Sequence, residues 1–505
     1  MKIILWQMFR GPLILAILTC LLMTSAVCAD TPPSWEQALS FGGSGNDVGR
    51  AVKVGCDGSQ YFAGYFSSTV QFGNTQLVSF GGADAFLAKR DSTGKVVWAI
   101  QAGGSSDDFA YDLALDKTDN IYLTGEFYDS ATFGSTNGKD RSVTGNGYTI
   151  FLARYSSSGV LAWVQTGVIA YGGDYNWGNG VAVEPTTGTV YVAGISQTDT
   201  TFSSSDGTHH VVPGNGAWHM VLAKYDIYGK FQWGETDAAS PNSAGYSVAV
   251  DAQANAYVVG WFENQNTFSS HDGHDITITG FSPGQSDSNY PCDAFLVKYD
   301  SQGNVEWANH IGGYKAIGNA VAVSRAGQIT LAGFIGNVNY RTEGEKTTTV
   351  TSQPPGQNQN LGGGDYTSPY NADIIISTWD GAGVLETALR IGGQENETAN
   401  GVTYDAGGRL WLSGGFQGTL KIGSQILVGN NQQNLFVLQF SGNTLLRVGS
   451  AVNAGILGEG MSGISVGPAG NVVVTGPYEG TALFGNRKLT SEGGFDIFLS
   501  KLMPN

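Results

Sequence analysis

The segment Asp84-Ala-Phe-Leu-Ala-Lys-Arg-Asp-Ser-Thr-Gly-Lys-Val-Val-Trp98 consists of two apolar runs joined by a polar tetrapeptide that ends in glycine. Apolar side chains at consecutive positions, residues 85–88, suit a strand that is buried on both faces. The Asp-Ser-Thr-Gly tetrapeptide suits a tight turn, and the last three residues begin the returning strand. The segment therefore predicts a β-hairpin.

Similar segments recur six more times along the chain. They lie at residues 150–163, 220–233, 294–307, 374–387, 435–447 and, cut short, 497–505. A long internal period overrides the expectation that 505 residues form several domains, because a repeat array can close into one body. Residues 30–505 are therefore predicted to form a single domain.

A glycine inside an apolar run gives a second measure of the repeat. It recurs at intervals of 61 to 81 residues, as Gly64, Gly125, Gly194, Gly260, Gly333, Gly414 and Gly476. A glycine within a strand usually marks a bulge or a close backbone approach, so these positions predict one crowded geometry built seven times. Each repeat then holds four strands: small-residue strand A, glycine-centred strand B, and the hairpin strands C and D. This pattern predicts an all-β fold, a seven-bladed β-propeller of four-stranded antiparallel blades.

The seventh repeat ends without a strand D. Residues 34–43 near the N terminus match the residues that come after each hairpin tryptophan, as in Trp98-Ala-Ile-Gln-Ala-Gly-Gly104. We therefore expect the N-terminal strand to complete the C-terminal blade. A ring closed in this way protects the edges of its sheets.

Residues 1–29 have the composition of a secretory signal. Two basic residues flank its start, residues 13–23 are apolar, and Val27-Cys28-Ala29 offers a small-residue cleavage site. The chain is therefore predicted to be secreted, to the periplasm, the cell surface or the extracellular space. A lipid anchor on Cys28 is the alternative, which Val27 disfavours. The apolar run is too short to span a bilayer, and no later segment competes with it.

The formal net charge of −17 also limits the partners of this protein. Such a surface repels phosphate backbones, which disfavours nucleic acid as a partner. Cys56 and Cys292 remain after cleavage of the signal, and three repeats separate them, so we expect two unpaired thiols. The prediction is a monomer that binds an extracellular glycan, peptide or protein.

Four segments carry a resemblance to a known family. They are Gly103-Gly-Ser-Ser-Asp-Asp108, Asn120-Ile-Tyr-Leu-Thr-Gly125, Asp293-Ala-Phe-Leu-Val-Lys-Tyr-Asp-Ser-Gln-Gly-Asn-Val-Glu-Trp307 and Phe484-Gly-Asn-Arg-Lys-Leu-Thr-Ser-Glu-Gly-Gly494. Together they resemble the SBBP-type β-propeller repeat, found in exported and cell-surface proteins of bacteria. The resemblance implies the fold and an exported interaction scaffold. It implies no catalytic residues, because the family has none in common.

A second resemblance concerns the hairpin turn. Asp91-Ser-Thr-Gly-Lys-Val-Val-Trp98 is similar to the tryptophan-docking repeat of quinoprotein dehydrogenases, whose blades lock together through such tryptophans. That family has eight blades and a vicinal disulfide over its quinone. The seven repeats and the lack of adjacent cysteines here disfavour a quinone enzyme, since fold alone does not fix function.

The histidines raise the question of a metal. The candidate ligands are imidazoles and one carboxylate on two predicted hairpin tips: His209, His210, His271, Asp272 and His274. Zinc or calcium is one interpretation. We favour solvated polar tips, because such tips alone do not give the closed geometry that a metal needs. Acidic turns such as Asp116-Lys-Thr-Asp-Asn120 are likewise interpreted as ordinary turns, so no cofactor is predicted.

The connections between strands differ in length. In a propeller with this strand order, the D–A and B–C connections emerge on one face and the tight A–B and C–D turns on the other. The B–C connections of blades 1 and 7 suit small extra hairpins, whereas those of blades 2 to 5 are longer. Residues 341–371 of blade 5 are polar enough to predict an extended or disordered loop. Variable loops on a rigid frame are where binding concentrates.

The candidate ligand-binding residues are aromatic and acidic side chains expected on that face. They are Tyr171, Tyr175, Trp177, Trp218, Asp107 and Asp108. The aromatic ones suit stacking on a sugar or a peptide, with packing between blades as the alternative role. The sequence identifies no pair of nucleophile and base. It therefore predicts an exported, non-enzymatic binding or scaffolding propeller that uses the loops of blades 2 to 5. The alternative is a secreted carbohydrate-active or metal-dependent hydrolase or lyase with its site on the same face.

Overall fold

The computed structural model describes residues 35–171, 175–214, 216–280, 292–312, 315–336, 349–350, 359–360, 372–393, 395–455 and 463–502. Throughout these ranges the chain forms strands and turns, without a helix. None of the described residues thus belongs to a helix long and apolar enough to cross a membrane. Pro32–Asn505 is one compact unit by its internal contacts. The predicted signal, residues 1–29, lies outside the described residues.

The strands fall into seven repeated units. The strand at the N terminus is β1 (Trp35–Phe41). Unit 1 has β2 (Asp47–Val54), β3 (Gln60–Phe72), β4 (Thr75–Arg90) and β5 (Val96–Gly103); unit 2 has β6 (Phe109–Leu115), β7 (Ile121–Phe133), β8 (Arg141–Tyr155) and β9 (Leu161–Ile169); unit 3 has β10 (Asn176–Val183), β11 (Val190–Ser196), β12 (Thr200–Ser203), β13 (His209–Val212), β14 (His219–Tyr225) and β15 (Phe231–Ser240). Unit 4 has β16 (Ser243–Val250), β17 (Ala256–Phe262), β18 (Gln265–Phe268), β19 (Ile276–Thr279), β20 (Asp293–Tyr299) and β21 (Val305–Gly312); unit 5 has β22 (Ala316–Val323), β23 (Ile329–Gly336), β24 (Thr349–Val350), β25 (Gln359–Asn360), β26 (Ala372–Trp379) and β27 (Leu385–Ile391). Unit 6 has β28 (Glu397–Tyr404), β29 (Leu410–Phe416), β30 (Thr419–Ile422), β31 (Gln425–Val428), β32 (Asn434–Ser441) and β33 (Thr444–Ala451); unit 7 has β34 (Gly463–Val466), β35 (Val472–Phe484) and β36 (Arg487–Leu502).

In units 1 to 6, strands A and B are the first two strands of the unit and strands C and D are the last two; in unit 7, strands A, B and C are β34, β35 and β36. Within each unit these strands pair antiparallel in chain order. In unit 7 the fourth place is taken by β1, which pairs with β36 from Trp35 opposite Leu502 to Phe41 opposite Ile497. The predicted pairing of the N-terminal strand with the last repeat is therefore present. Strand A of each unit also lies against strand A of the next unit, and β34 of unit 7 lies against β2 of unit 1.

The predicted hairpin at residues 84–98 is confirmed in β4 and β5. Residues 85–88 are each at most 1% exposed, which explains why they are all apolar. Phe86 packs with residues of unit 7, whereas Leu87 on the opposite face packs with residues of unit 2. Seven hydrophobic clusters are arranged in this way, one between each unit and the next, including unit 7 and unit 1. The core therefore lies between the sheets, and each sheet contributes to two of these seven clusters. An eighth cluster joins units 3 to 5; it includes Trp261, and Trp177 and Trp218 pack against it.

The strand-B glycines lie in the crowded backbone geometry that their spacing predicts. In units 1 to 6 each is paired with strand A where that strand bulges, as at the register shift between Gly49 and Ala51 opposite Gly64. A Cβ added at Gly64 would lie 1.9 Å from the carbonyl oxygen of Val48, which no side chain tolerates. Each of these bulges has one extra residue: Arg50, Tyr111, Asn179, Tyr246, Asn319 and Asn400. In unit 7, Gly476 instead faces the ring of Phe498.

The hairpin tryptophans pack against the next unit. The indole of Trp163 covers Gly229 in the C–D turn of unit 3, where an added Cβ would lie 2.8 Å from the ring. Its Nε1 donates to the carbonyl oxygen of Ile227 at 3.1 Å. Trp233 and Trp307 make the same contacts one and two units later. Since removing a buried aromatic ring costs about 3–5 kcal/mol, this recurring contact is a main source of cohesion between units.

The B–C connections are more alike than their lengths suggest. Those of units 2, 3, 4 and 6 are ordered hairpins like those of units 1 and 7. Several pair with strand D of the preceding unit, for example β12 with β9 and β18 with β15. They therefore cover sheet edges that would otherwise be open. Of residues 341–371 in unit 5, only the paired strands β24 and β25 lie within the described residues.

The hairpin tips also lie at a different place from the one predicted. In unit 3 the backbone N–H of Ser205 donates to the carbonyl oxygen of Gly229, and in unit 4 that of His271 donates to Gly303. Both acceptors belong to C–D turns. The tips of these hairpins are thus beside the C–D turns, at the opposite end of the sheets from the D–A connections.

Candidate ligand-binding site

The candidate site begins at β7, where Gly125 is followed by Glu126. Because side chains alternate along a strand, Thr124, Glu126 and Tyr128 share one face of β7. That face lies against unit 3, since the hydroxyl of Thr124 is beside Gly178 of β10. Glu126 and Tyr128 thus face the junction of units 2 and 3, at the end of the sheets where the D–A connections emerge.

A continuous series of aromatic rings starts at Tyr128, and we call it the aromatic row. Its members are Tyr128, Tyr148, Tyr175, Trp177, Trp218 and Trp261. The ring centroids of Tyr128 and Tyr148 are 5.1 Å apart, and those of Tyr148 and Tyr175 are 5.7 Å apart. Tyr175 lies 5.2 Å from Trp177 and 5.6 Å from Trp218. Trp218 reaches Trp261 of unit 4 at 6.3 Å, so the row crosses units 2 to 4.

The row offers both apolar faces and polar atoms. Tyr175 is 39% exposed, and Trp177 and Trp218 are partly buried. The indole N–H of Trp261 donates to the hydroxyl of Tyr246 at 3.0 Å, whereas the indole N–H of Trp177 is buried and has no hydrogen-bond partner among the described residues. Aromatic rings with a polar edge are suited to ligands that are apolar on one side and hydroxylated on the other.

Glu126 lies beside the row and is 2% exposed. Its Oε1 accepts a hydrogen bond from the hydroxyl of Tyr111 at 2.6 Å, and its Oε2 has no partner in the part of the chain that the structure describes. Burial raises the pKa of Glu126 to about 8, the negative charges of Asp108 and Asp107 add to the increase, and the Tyr111 bond and Arg50 oppose it. At neutral pH Glu126 is therefore largely protonated and uncharged.

Arg50 is the cation whose charge acts on this carboxyl. It is the extra residue of the bulge in β2, where a side chain is turned out of the regular alternation. Its guanidinium carbon lies 5.6 Å from the ring of Tyr65 and 5.7 Å from that of Tyr111. Its Nε finds no hydrogen-bond acceptor within the described ranges. Arg50, Tyr111 and Glu126 therefore form a connected polar group at one end of the aromatic row.

The structure brings together three of the candidate residues from the sequence. Tyr175, Trp177 and Trp218 are in direct ring contact. Tyr171 is 72% exposed. Whether any of these residues binds a ligand stays a prediction.

The two acidic candidates have roles within the fold. Asp108 is 1% exposed, and its carboxylate accepts hydrogen bonds from the backbone N–H groups of Gly104 and Tyr128, at 2.6 and 3.1 Å. Asp107 accepts one from the backbone N–H of Ala83 at 2.8 Å. Burial raises the pKa of Asp108 to about 7. Asp108 thus holds the D–A connection from inside the fold, and a contact of either carboxylate with a ligand stays a prediction.

The histidine tips are separated on two different hairpins. The ring of His210 stacks on Phe231 at 4.5 Å. His271 Nδ1 lies 3.4 Å from a Glu235 oxygen, and His274 Nδ1 lies 3.1 Å from Asp272. His209, on the same strand as His210, is exposed. Within the described ranges no three His, Cys, Asp or Glu side chains are arranged to hold a metal ion, and the prediction about metals stays a prediction.

Sequence reasoning missed six residues of the site. These are Arg50, Tyr111, Glu126, Tyr128, Tyr148 and Trp261. One signal was available for Glu126: the residue after the strand-B glycine is apolar or aromatic in units 1 and 3 to 5, as Tyr65, Ile195, Trp261 and Phe334. A buried position of a repeat normally takes an apolar side chain, because burying a carboxyl group costs free energy. A carboxyl group there is therefore not explained by the fold.

Comparisons with known proteins agree with the repeat. Residues 97–126 match the family model described as SBBP, a β-propeller repeat, which confirms the resemblance for that stretch. It runs from strand D of unit 1 to Glu126. An uncharacterised WD repeat-containing protein of Acanthamoeba polyphaga mimivirus is 25% identical over 391 residues, which is 69% of this chain. The match spans 27% of that longer relative.

Three solved structures show a weaker similarity. A streptogramin B lyase structure is 13% identical with a TM-score of 0.28, covering 74% of this chain and 94% of that one. A gluconolactonase from Xanthomonas campestris is 14% identical with a TM-score of 0.24, covering 70% and 90%. A virginiamycin B lyase from Staphylococcus aureus is 10% identical with a TM-score of 0.23, covering 64% and 94%.

Proposed function

We propose that this protein is an exported, closed seven-bladed β-propeller that binds a glycan on its aromatic row without changing it chemically. The seven units, the seven interface clusters and the contact between β34 and β2 support a closed ring. In such a ring, the four-stranded units are the blades, and the strands A line the centre. The N-terminal strand then fastens the ring through its pairing with β36.

The observation that carries the binding function is the aromatic row itself. Six rings lie in sequence across three units at one end of the sheets. Stacking on an aromatic ring places the apolar C–H face of a sugar against the π-face, and the hydroxyls around the sugar then meet polar edges. The hydroxyls of Tyr128, Tyr148 and Tyr175, which are partly or well exposed residues, supply such edges. The chain thus presents both parts of a carbohydrate-binding surface.

The hairpin tips are not part of this surface. Their contacts with the C–D turns put them at the other end of the sheets. The D–A connection before β10 supplies Tyr175, and the end of the B–C connection of unit 3 supplies Trp218. The binding surface proposed here therefore uses residues of units 2 to 4 close to the strands, rather than the long insertions.

A second candidate function is suggested by Glu126. A carboxyl group with a pKa near 8 keeps its proton at neutral pH, as general acid catalysis requires. A hydrolase or lyase that acts on a bound glycan with Glu126 as its acid is therefore the alternative. The buried state of its Oε2 favours binding alone, because a general acid must reach the atom that it protonates.

Binding can be tested with two tryptophans of the row. Glycan-array screening of the mature protein, followed by calorimetry on the best glycan, measures affinity. Trp177→Ala and Trp218→Ala should each weaken binding about tenfold, since each removes a stacking surface. Tyr228→Ala is the matched control, because Tyr228 is 75% exposed in a C–D turn far from the row. Equal affinity of all variants, or no glycan bound by the unaltered protein, would refute the proposal.

The same glycan separates binding from catalysis. Under the binding proposal, the bound glycan is recovered unchanged after long incubation with the protein. Release of products that stops in Glu126→Gln, while binding of the glycan persists, would replace the binding function with the enzymatic one.

A further inference from the structure

We propose that Arg50 binds a carboxylate, so that the glycan taken by the aromatic row carries a terminal uronic acid; this inference rests on the glycan-binding function proposed above. Arg50 is a positive charge without an ion pair among the described residues, in a protein whose net charge is −17.

The guanidinium of Arg50 lacks the polar partners that Arg90 and Arg390 have. Arg90 donates to the carbonyl oxygen of Gly94 and to two glutamine side chains. Arg390 is paired with Asp373 at 2.7 Å. Arg50 makes no ion pair with a residue that the structure describes, and its Nε lacks a hydrogen-bond partner there as well. A partly buried guanidinium that is held by two tyrosine rings and lacks an anion is prepared for a carboxylate.

The carboxyl group that would neutralise Arg50 is held uncharged. Glu126 shares Tyr111 with Arg50: the Tyr111 hydroxyl bonds to Glu126, and its ring lies beneath the guanidinium. Glu126 makes no ion pair with Arg50 within the described residues, and burial also keeps the proton on its carboxyl at neutral pH, so this carboxyl does not compensate the charge of Arg50. An external carboxylate can therefore form the ion pair that Arg50 lacks within the described residues.

The position of Arg50 connects this charge with the sugar-binding rings. Glu126 and Tyr128 are two residues apart on one face of β7, and Tyr128 begins the aromatic row. The negative charge of Glu126 also contributes to a raised pKa of Tyr148, after the larger effect of burial. In the proposed complex, a glycan lying along the row ends on the Tyr128 side, toward Glu126, Tyr111 and Arg50.

The ligand carries one carboxylate there rather than many. The net charge of −17 repels a polyanion over distances up to the Debye length, about 8–10 Å in ordinary buffers. A single carboxylate in contact with Arg50 gains a short charge-assisted hydrogen bond that outweighs this diffuse repulsion. A uronic acid at the end of an otherwise neutral oligosaccharide meets both conditions.

Carboxylate binding at Arg50 should depend on pH. The groups that face Glu126 are Tyr111 of β6, Arg50 of β2, Tyr148 of β8, and Asp107 and Asp108 of the D–A connection. As the pH rises past about 8, Glu126 ionises, and its negative charge weakens the attraction between Arg50 and the ligand. Preference for the acidic glycan should then decrease, whereas affinity for a neutral glycan should change little.

The test compares two short oligosaccharides that differ at one end, one with glucuronic acid and the other with glucose. Calorimetry near neutral pH should show that the intact mature protein binds the glucuronic acid form about tenfold more tightly, the effect of one charge-assisted bond. Arg50→Gln should bind both equally. Arg154→Gln is the control, because Arg154 lies 5.7 Å from the ring of Tyr122 in a similar contact at the other end of unit 2.

The outcomes separate the two proposals. Equal affinity of the intact protein for both sugars would overturn the carboxylate site and leave glycan binding in place. Binding of neither sugar, or preference for a peptide with a free C-terminal carboxylate, would overturn both. If Arg50→Gln fails to fold, the pH series on the intact protein decides the question: a preference that is unchanged between about pH 7 and pH 9 would contradict the site.

Discussion

Replacing Glu126 by Gln should remove a pH-dependent loss of stability. The amide keeps the shape of the side chain and an oxygen that accepts the Tyr111 hydrogen bond, but it cannot ionise. In the folded protein burial raises the pKa of Glu126 from its ordinary value of 4.5 to about 8. The folded state therefore binds this proton more tightly than the unfolded state does.

The direction and size of this change in stability follow from the linkage between proton binding and folding. A carboxyl whose folded pKa is raised contributes full stability below its unfolded pKa, and that contribution is lost as the pH rises toward the folded pKa. The loss thus develops between about pH 4.5 and pH 8. At about 1.4 kcal/mol for each pKa unit, the wild-type protein loses about 3 kcal/mol by pH 7 and up to about 5 kcal/mol above pH 8.

The assay compares the two proteins rather than one protein at two pH values. Many other carboxyl groups titrate in this range, and the difference in unfolding free energy between Glu126→Gln and the wild type cancels most of them. Denaturant unfolding should give a difference that increases by about 3 kcal/mol between pH 5 and pH 8 in favour of the variant. A difference that stays constant across this range would show that Glu126 does not keep its proton in the folded state.

Three further predictions concern the frame. A chain that lacks residues 30–42 should unfold at a lower temperature and less cooperatively, because β36 loses its partner β1; an unchanged melting curve would contradict closure by that strand. Gly229→Ala should lower stability by about 2–4 kcal/mol, since its φ of 79° strains any side chain and its Cβ would meet Trp163. Gly207→Ala, with a φ of 80° and open space around it, should lose only about 1–2 kcal/mol by chemical denaturation. EDTA should leave the thermal stability unchanged, whereas a decrease that zinc or calcium reverses would establish a structural metal.

The frame was predictable because its requirements recur. The spacing of the strand-B glycines identifies the units, and the close approach of Gly64 to Val48 gives the physical reason for glycine at that position. The pairing of β1 with β36 was expected from the unmatched Trp35 segment. The same steric constraint in every unit requires the same residue at the same position. Such recurring residues can be counted in a single sequence without a structure.

The placement of the insertions was not predictable on the same basis. Their length alone suggested loops on the D–A face, whereas pairing with the preceding strand D directs the hairpins toward the C–D turns. Such pairing depends on the positions of two units relative to each other, which the sequence of one connection does not contain. The same limit applies to the polar group: Arg50 and Glu126 are far apart in sequence and belong to different units.

Glu126 indicates function more strongly than the length of any loop does. The hairpins cover strand edges, so their presence is explained by the stability of the frame. Glu126 has no such explanation, because an apolar residue at its position, as in units 3 to 5, would avoid a loss of about 3 kcal/mol at neutral pH. A buried carboxyl that lowers the stability of the fold in this way is a candidate for a functional site when its neighbours can use it. Here the neighbours are a row of aromatic rings and the guanidinium of Arg50, and the neutral carboxyl leaves the charge of that guanidinium available to a ligand.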